Sequence, residues 1–191
     1  AGDAGAPRFI HEFADRNRNW TVALTGIFLA LKTTEYRHWE EFDTRIQGLV
    51  TPLVNIYAPA YYSRIGLRYV DVIQRSRLNL ADRAWADLLE PYIAGEFCSP
   101  DIGNNVDQAQ RQISVPLGDN GGRVTIRHGL VFSTADNEPC YVIDADLFVD
   151  NQRTEIGDAA SVLERLNRHA GNLFRWCIRP LLQQALGPVP V

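Results

Sequence analysis

Two arginines, Arg64 and Arg68, stand four residues apart in the stretch YYSRIGLRYVDVI, residues 61–73, with the bare Gly66 between them. The stretch alternates as a strand does. Arg64, Gly66, Arg68, Val70 and Val72 fall on one side, and Ile65, Leu67, Tyr69 and Ile73 on the other. The two guanidiniums then lie about 13 Å apart along one face. Guanidinium forks bind carboxylates and phosphates, and a glycine between them leaves a notch where an anion reaches the backbone.

A second stretch, YVIDADLF, offers the complementary charge. Asp144 and Asp146 alternate with Tyr141, Ile143, Ala145 and Leu147, so both carboxylates share a face, about 7 Å apart along it. If the two strands are neighbours, Arg64 or Arg68 pairs with Asp144 or Asp146 across the sheet. The same aspartates admit a rival chemistry, a Mg²⁺ or Mn²⁺ site for phosphoester hydrolysis. No third acid or lysine is marked beside them by spacing. Arg123 and Arg127, with Thr125 between them and Arg111 near in sequence, make a secondary basic face on a further strand.

Other motifs are lacking. The chain has no G-x-S-x-G, no G-x-x-x-x-G-K-[ST], no G-x-G-x-x-G and no H-E-x-x-H. His11, His38, His128 and His169 are scattered. His128 lies with Val124, Ile126, Leu130 and Phe132 on an apolar strand face and reads as a core or rim histidine with one hydrogen bond. His38 reads as solvent-facing. Cys98, Cys140 and Cys177 are too few and too widely spaced for a disulfide framework or a zinc site, which favours reduced thiols in a cytoplasmic protein. No cofactor or metal is implied. The net charge of -4 argues against nucleic acid, whose binding draws on a basic field. No apolar run approaches the roughly 20 residues that cross a bilayer. The chain contains no methionine, so the natural N-terminus is expected upstream of Ala1.

The elements that must position these residues follow from periodicity and turn chemistry. Residues 1–7 read as a disordered end and 8–13 as a short strand. WTVALTGIFLALK reads as a hairpin with Gly26 in the turn. A helix capped by Thr33 or Thr34 follows, with Tyr36, Trp39, Phe42, Ile46, Leu49, Val50 and Leu53 on one stripe, ended or kinked at Pro52. After the 62–73 strand comes a helix over 82–93, with Trp85, Leu88, Leu89 and Tyr92 inward, and a loop over 95–105. Strands over 108–117, 123–132 and 140–149 are separated by the turns GDNGG and TADNEP. A long helix over 159–186 closes the fold, capped by Asp158 or by a box at Ser161 and kinked near Pro180. The tail is 187–191. Trp20, Trp39, Trp85 and Trp176 read mostly as packing residues.

This order predicts an α+β fold. One domain, 8–186, has antiparallel sheet from a βββα pattern seen twice and a long C-terminal helix across it. Its halves are 8–73 and 106–186, joined by 74–105 and meeting edge to edge through the 62–73 strand.

LALKTTEYRHWEEF, YYSRIGLRYVDVI, YVIDADLF and RLNRHAGNLFRWCI together resemble a sporadically distributed family of bacterial proteins of unknown function, over residues 7–186. RIGLRY, residues 64–69, is the most specific segment. The chain carries Asp71 where the family pattern leads one to expect asparagine. The resemblance implies further sequence before Ala1 and no reaction, cofactor or ligand.

The leading expectation is a non-enzymatic binding or interaction module using Arg64, Arg68, Asp144 and Asp146. Its partner would be a protein or a small anionic ligand, without a membrane, with a homo-oligomer left open. The alternatives are a metal-dependent phosphoesterase or nuclease using Asp144 and Asp146, and a ligand cavity between the long helix and the sheet.

Overall fold

The computed structural model describes residues 9–118 and 122–187, and of Asn151 and Gln152 only the backbone. The predicted N-terminal end, most of the GDNGG turn and most of the 187–191 tail lie outside the described residues. The fold is α+β, and the chain divides into two compact units, Ala1–Pro59 and Ala60–Val191.

In the first unit, β1 (His11–Ala14), β2 (Trp20–Leu24) and β3 (Leu29–Thr33) form an antiparallel sheet in that order. The β2–β3 turn is organised by Thr25, whose Oγ1 accepts from the N–H groups of Ile27 (3.2 Å) and Phe28 (3.1 Å). Gly26 does not take a left-handed φ there. Helix α1 spans Trp39–Tyr57 and is capped by His38, not by Thr33 or Thr34. The His38 Nδ1 accepts from the Glu41 N–H at 3.4 Å, while the Thr33 hydroxyl accepts from the Glu35 N–H in a turn before the helix. Tyr36 therefore precedes the helix. Pro52 does not end it. The proline is exposed, on a side where water can reach the Gly48 carbonyl it leaves without a donor. Trp20 packs against Phe42, ring centroids 6.0 Å apart, with the Arg45 guanidinium 4.3 Å from the Trp20 ring.

The second unit is built on a four-stranded antiparallel sheet. Its strands are β4 (Tyr62–Gln74), β5 (Gln110–Pro116), β6 (Gly122–Phe132) and β7 (Pro139–Thr154), in the order β4-β7-β6-β5. β4 belongs wholly to this sheet and does not join two halves through its edges, as the pattern had suggested. The inward face carries Ile65, Leu67, Ile73, Val124, Ile126, Leu130, Tyr141, Ile143, Leu147 and Val149, all buried. Helix α4 (Ala159–Cys177) crosses β4 and β7 on this face and buries Val162, Leu163, Leu166, Ala170 and Cys177. Each fully buried aliphatic side chain contributes about 1.5–3 kcal/mol. The Asp158 side chain does not cap α4; instead Ser161 Oγ donates to the Asp158 carbonyl at 2.8 Å.

Two expected helices are broken at prolines, and the breaks meet. The 82–93 segment is two short helices, α2 (Trp85–Leu88) and α3 (Pro91–Ala94). The C-terminal helix stops at Cys177 and resumes as α5 (Pro180–Ala185). A residue before proline is pushed out of the helical region, and Glu90 (ψ 146°) and Arg179 (ψ 161°) are both extended. The two extended segments pair. The Glu90 N–H donates to the Cys177 carbonyl (3.0 Å), the Arg179 N–H donates to the Leu88 carbonyl (2.9 Å), and Leu89 bridges Ile178. Groups freed by each break are satisfied by the other. Tyr92, expected inward, and Trp176 are about half-exposed and stack on each other at 4.3 Å. The 95–105 loop contains two 3₁₀ turns, Gly95–Cys98 and Gly103–Asn105.

Candidate functional site

The outward face of the four-stranded sheet carries the predicted charges. Register sets Arg68 opposite Asp146 and Val70 opposite Asp144, while β6 brings Thr125 beside Asp146 and Arg127 beside Asp144. An acidic spine on β7 is thus flanked by arginines on both neighbouring strands.

The pairing is diagonal. Arg68 donates Nε and Nη2 to the two oxygens of Asp144, both at 2.7 Å, a bidentate fork. Arg64 donates Nη2 to both oxygens of Asp146 at 3.2 and 3.3 Å. Its guanidinium also lies 4.1 Å from the centre of the Phe148 ring, a cation–π contact. Gly66 makes this route possible. A Cβ there would lie 3.5 Å from Arg64 Nη2 and from Phe148 Cβ, so a longer side chain would occupy the path of the guanidinium. On the other flank Arg127 Nη1 lies 3.7 Å from Asp144 Oδ2.

Burial separates the two signs. The Asp144 side chain is 11% exposed and the Arg68 side chain 58%. The carboxylate lies beneath and the guanidiniums face out. Hydrogen bonding to Asp144 is the first cause raising the Arg68 pKa above its ordinary value, with burial opposing. In the trio of Arg68, Asp144 and Arg127 one carboxylate serves two guanidiniums. The secondary basic face is split: Arg127 donates Nε to Gln112 Oε1 (3.0 Å), Arg123 reaches Ser114 (3.4 Å), and Arg111 turns to the other side of the sheet and pairs with Glu96 at 2.5 Å. Among the described residues no group of three His, Cys, Asp or Glu is placed to hold a metal ion.

At one end of this face lies an open groove of about 360 Å³, lined by residues that include Gln110, Gln112, Arg127, Gly129, Val131, Val142 and Asp144. Sequence reasoning missed it. The available signal was Gly129, a glycine inside a strand, which marks a close backbone approach. A Cβ there would collide with the Ala109 carbonyl oxygen.

On the inward face His128 makes the single side-chain hydrogen bond expected of it. Tyr141 donates its hydroxyl to the Ile93 carbonyl at 3.0 Å, so its oxygen accepts from His128 Nδ1 at 2.8 Å, which fixes the proton on Nδ1. Burial, then Arg111, lowers the His128 pKa, with Glu96 opposing. Burial pushes the Asp71 carboxyl up to about 6 and the Cys177 thiol, beside Asp71, up to about 12. Cys98, Cys140 and Cys177 are free thiols. Among the described residues no helix is long and apolar enough to cross a membrane.

No family model, curated protein or solved structure matches this chain.

Proposed function

We propose that the chain is a non-enzymatic binding module that engages anionic groups of a protein or a small ligand through the outward face of its four-stranded sheet. The observation that carries this reading is the bidentate Arg68–Asp144 pair. The carboxylate orients the guanidinium and leaves Nη1 facing outward, so the donor is held in place before a ligand arrives. Arg64, fixed by Asp146 and Phe148, repeats the arrangement one step along the strand. The same geometry weighs against the phosphoesterase alternative. Both oxygens of Asp144 and both of Asp146 are already engaged by arginines, and a divalent cation would have to displace them. The RIGLRY segment supports placing the chain with the bacterial family it resembles, and its free thiols suit a cytoplasmic setting.

The test is a pulldown with the full-length protein, wild type against Arg64→Gln/Arg68→Gln. A partner retained by the wild type, released by salt and lost in the double variant is the expected outcome. Equal retention by both proteins would reject the reading. So would Mg²⁺-dependent phosphodiester cleavage that disappears in Asp144→Asn.

A further inference from the structure

The groove beside the charged network deepens this reading and rests on it. We infer that it is a receptor for a carboxylate carried on a compact apolar body, with Arg127 and Gln112 as the groups that hold the carboxylate.

The polarity of the groove follows from a donor count. Arginine donates only, so the Gln112 amide must turn its oxygen to Arg127 Nε, as it does at 3.0 Å. Both amide hydrogens of Gln112 are then left to point elsewhere. Arg127 spends Nε on Gln112 and holds Asp144 only loosely, at 3.7 Å, because Asp144 is claimed by the Arg68 fork at 2.7 Å. The Arg127–Gln112 side of the wall therefore presents guanidinium and amide N–H groups, with the Gln112 oxygen and both Asp144 oxygens already engaged. Two guanidiniums around one carboxylate leave a unit of positive charge. An acceptor-rich anion completes this set; a cation or a hydrogen-bond donor does not.

The floor is different in character. Gly129 and Val142 are directly paired, with Val131 next along β6, and the valines are half-buried. The Ala109 carbonyl closes over Gly129, so the apolar surface of the floor is that of the two valines, against which a flat or branched apolar group can lie. A volume of about 360 Å³ is near the lower end of ligand sites, which span roughly 300–1,000 Å³. It fits a small acid or the last residue of a chain.

The experiment titrates the full chain with benzoate and with 4-methylpentanoate, following the methyl resonances of Val131 and Val142. Benzamide and inorganic phosphate are the controls. Saturable shifts with both acids and much weaker ones with benzamide are expected. Arg127→Met should weaken benzoate about tenfold or more through loss of a charge-assisted pair. Gln112→Glu keeps an acceptor for Arg127 Nε but turns a donor into a negative charge, and should weaken benzoate by at least as much; it keeps the test open if the arginine variant unfolds. Equal binding of benzoate and benzamide, no saturable binding of either acid, stronger binding of phosphate, or benzoate binding indifferent to Gln112→Glu would overturn the inference. A peptide ending in free phenylalanine, against its amide, tells a chain terminus from a free acid: binding of the peptide acid assigns the first source, binding of benzoate alone the second. Failure here is separable from failure of the broader reading. A partner that needs Arg64 and Arg68 while no acid enters the groove sinks the groove alone. Benzoate held by Arg127, with a partner indifferent to Arg64 and Arg68, sinks the β4 face alone.

Discussion

Asp71 is a carboxyl placed against α4, and replacing it by asparagine should make the second unit more stable near neutral pH. It stands on the inward side of β4 between Tyr69 and Ile73, opposite Ile143. Burial is the only cause of its shift, from an ordinary 3.8 to about 6, so no neighbouring cation offsets the loss of hydration. The sign follows from proton binding. The native state holds the proton more tightly than the unfolded chain, so the site costs nothing below about pH 4, and the cost grows as pH rises towards about 6. Above that it is constant. A shift of that size corresponds to about 3 kcal/mol at full strength. Asp71 keeps some contact with water, so a gain of about 1–3 kcal/mol for Asp71→Asn at pH 7.5 is the working range. In a unit of this size that is roughly 3–10 °C in Tm. The assay is urea unfolding at about pH 4 and pH 7.5, read from Trp85 and Trp176 with Trp20 and Trp39 replaced by phenylalanine in both proteins. Taking the variant-minus-wild-type difference at the two pH values cancels whatever the amide changes in packing. The same difference at both pH values, or a loss of stability at pH 7.5, would refute the reasoning, because it would mean that the carboxylate is solvated or paired where it sits.

Two further variants test packing around the sheet. Tyr141→Phe removes a hydroxyl that satisfies both the Ile93 carbonyl and His128 Nδ1. It should cost about 2–4 kcal/mol in the same urea assay, since each buried polar group left alone costs about 1–3. Gly129→Ala sets a methyl against the Ala109 carbonyl. The start of β5 must move, so stability should fall by about 2 kcal/mol or more, and the Leu130 amide, which donates to that carbonyl at 2.9 Å, should lose its protection from hydrogen exchange.

How far the sequence led can be judged residue by residue. Alternation alone placed Arg64, Arg68, Asp144 and Asp146 on like faces, and complementary charge named their partners. Strand order then made those partners neighbours. Register was not legible, because a period of two says which face a residue takes and not how far along its neighbour it falls. The diagonal reach of Arg64 passes over Gly66, where no long side chain intervenes, and ends on the ring of Phe148, which lies in another strand. The three prolines have different outcomes for one reason. Pro52, where the pattern reads as an end or a kink, lies inside a continuous helix, whereas Pro91 and Pro180, the latter reading as a kink, divide theirs. The local chemistry is the same in all three. What differs is what can receive the freed backbone groups: water beside Pro52, and for the other two an extended partner brought from about ninety residues away. The groove was hidden for a related reason. Its donors exist only because Asp144 is already taken by Arg68, so the chemistry that Arg127 and Gln112 offer is decided on β4, two strands distant. A site whose character depends on which arginine wins a shared carboxylate leaves no motif. It becomes readable once the competing distances, 2.7 Å against 3.7 Å, are known.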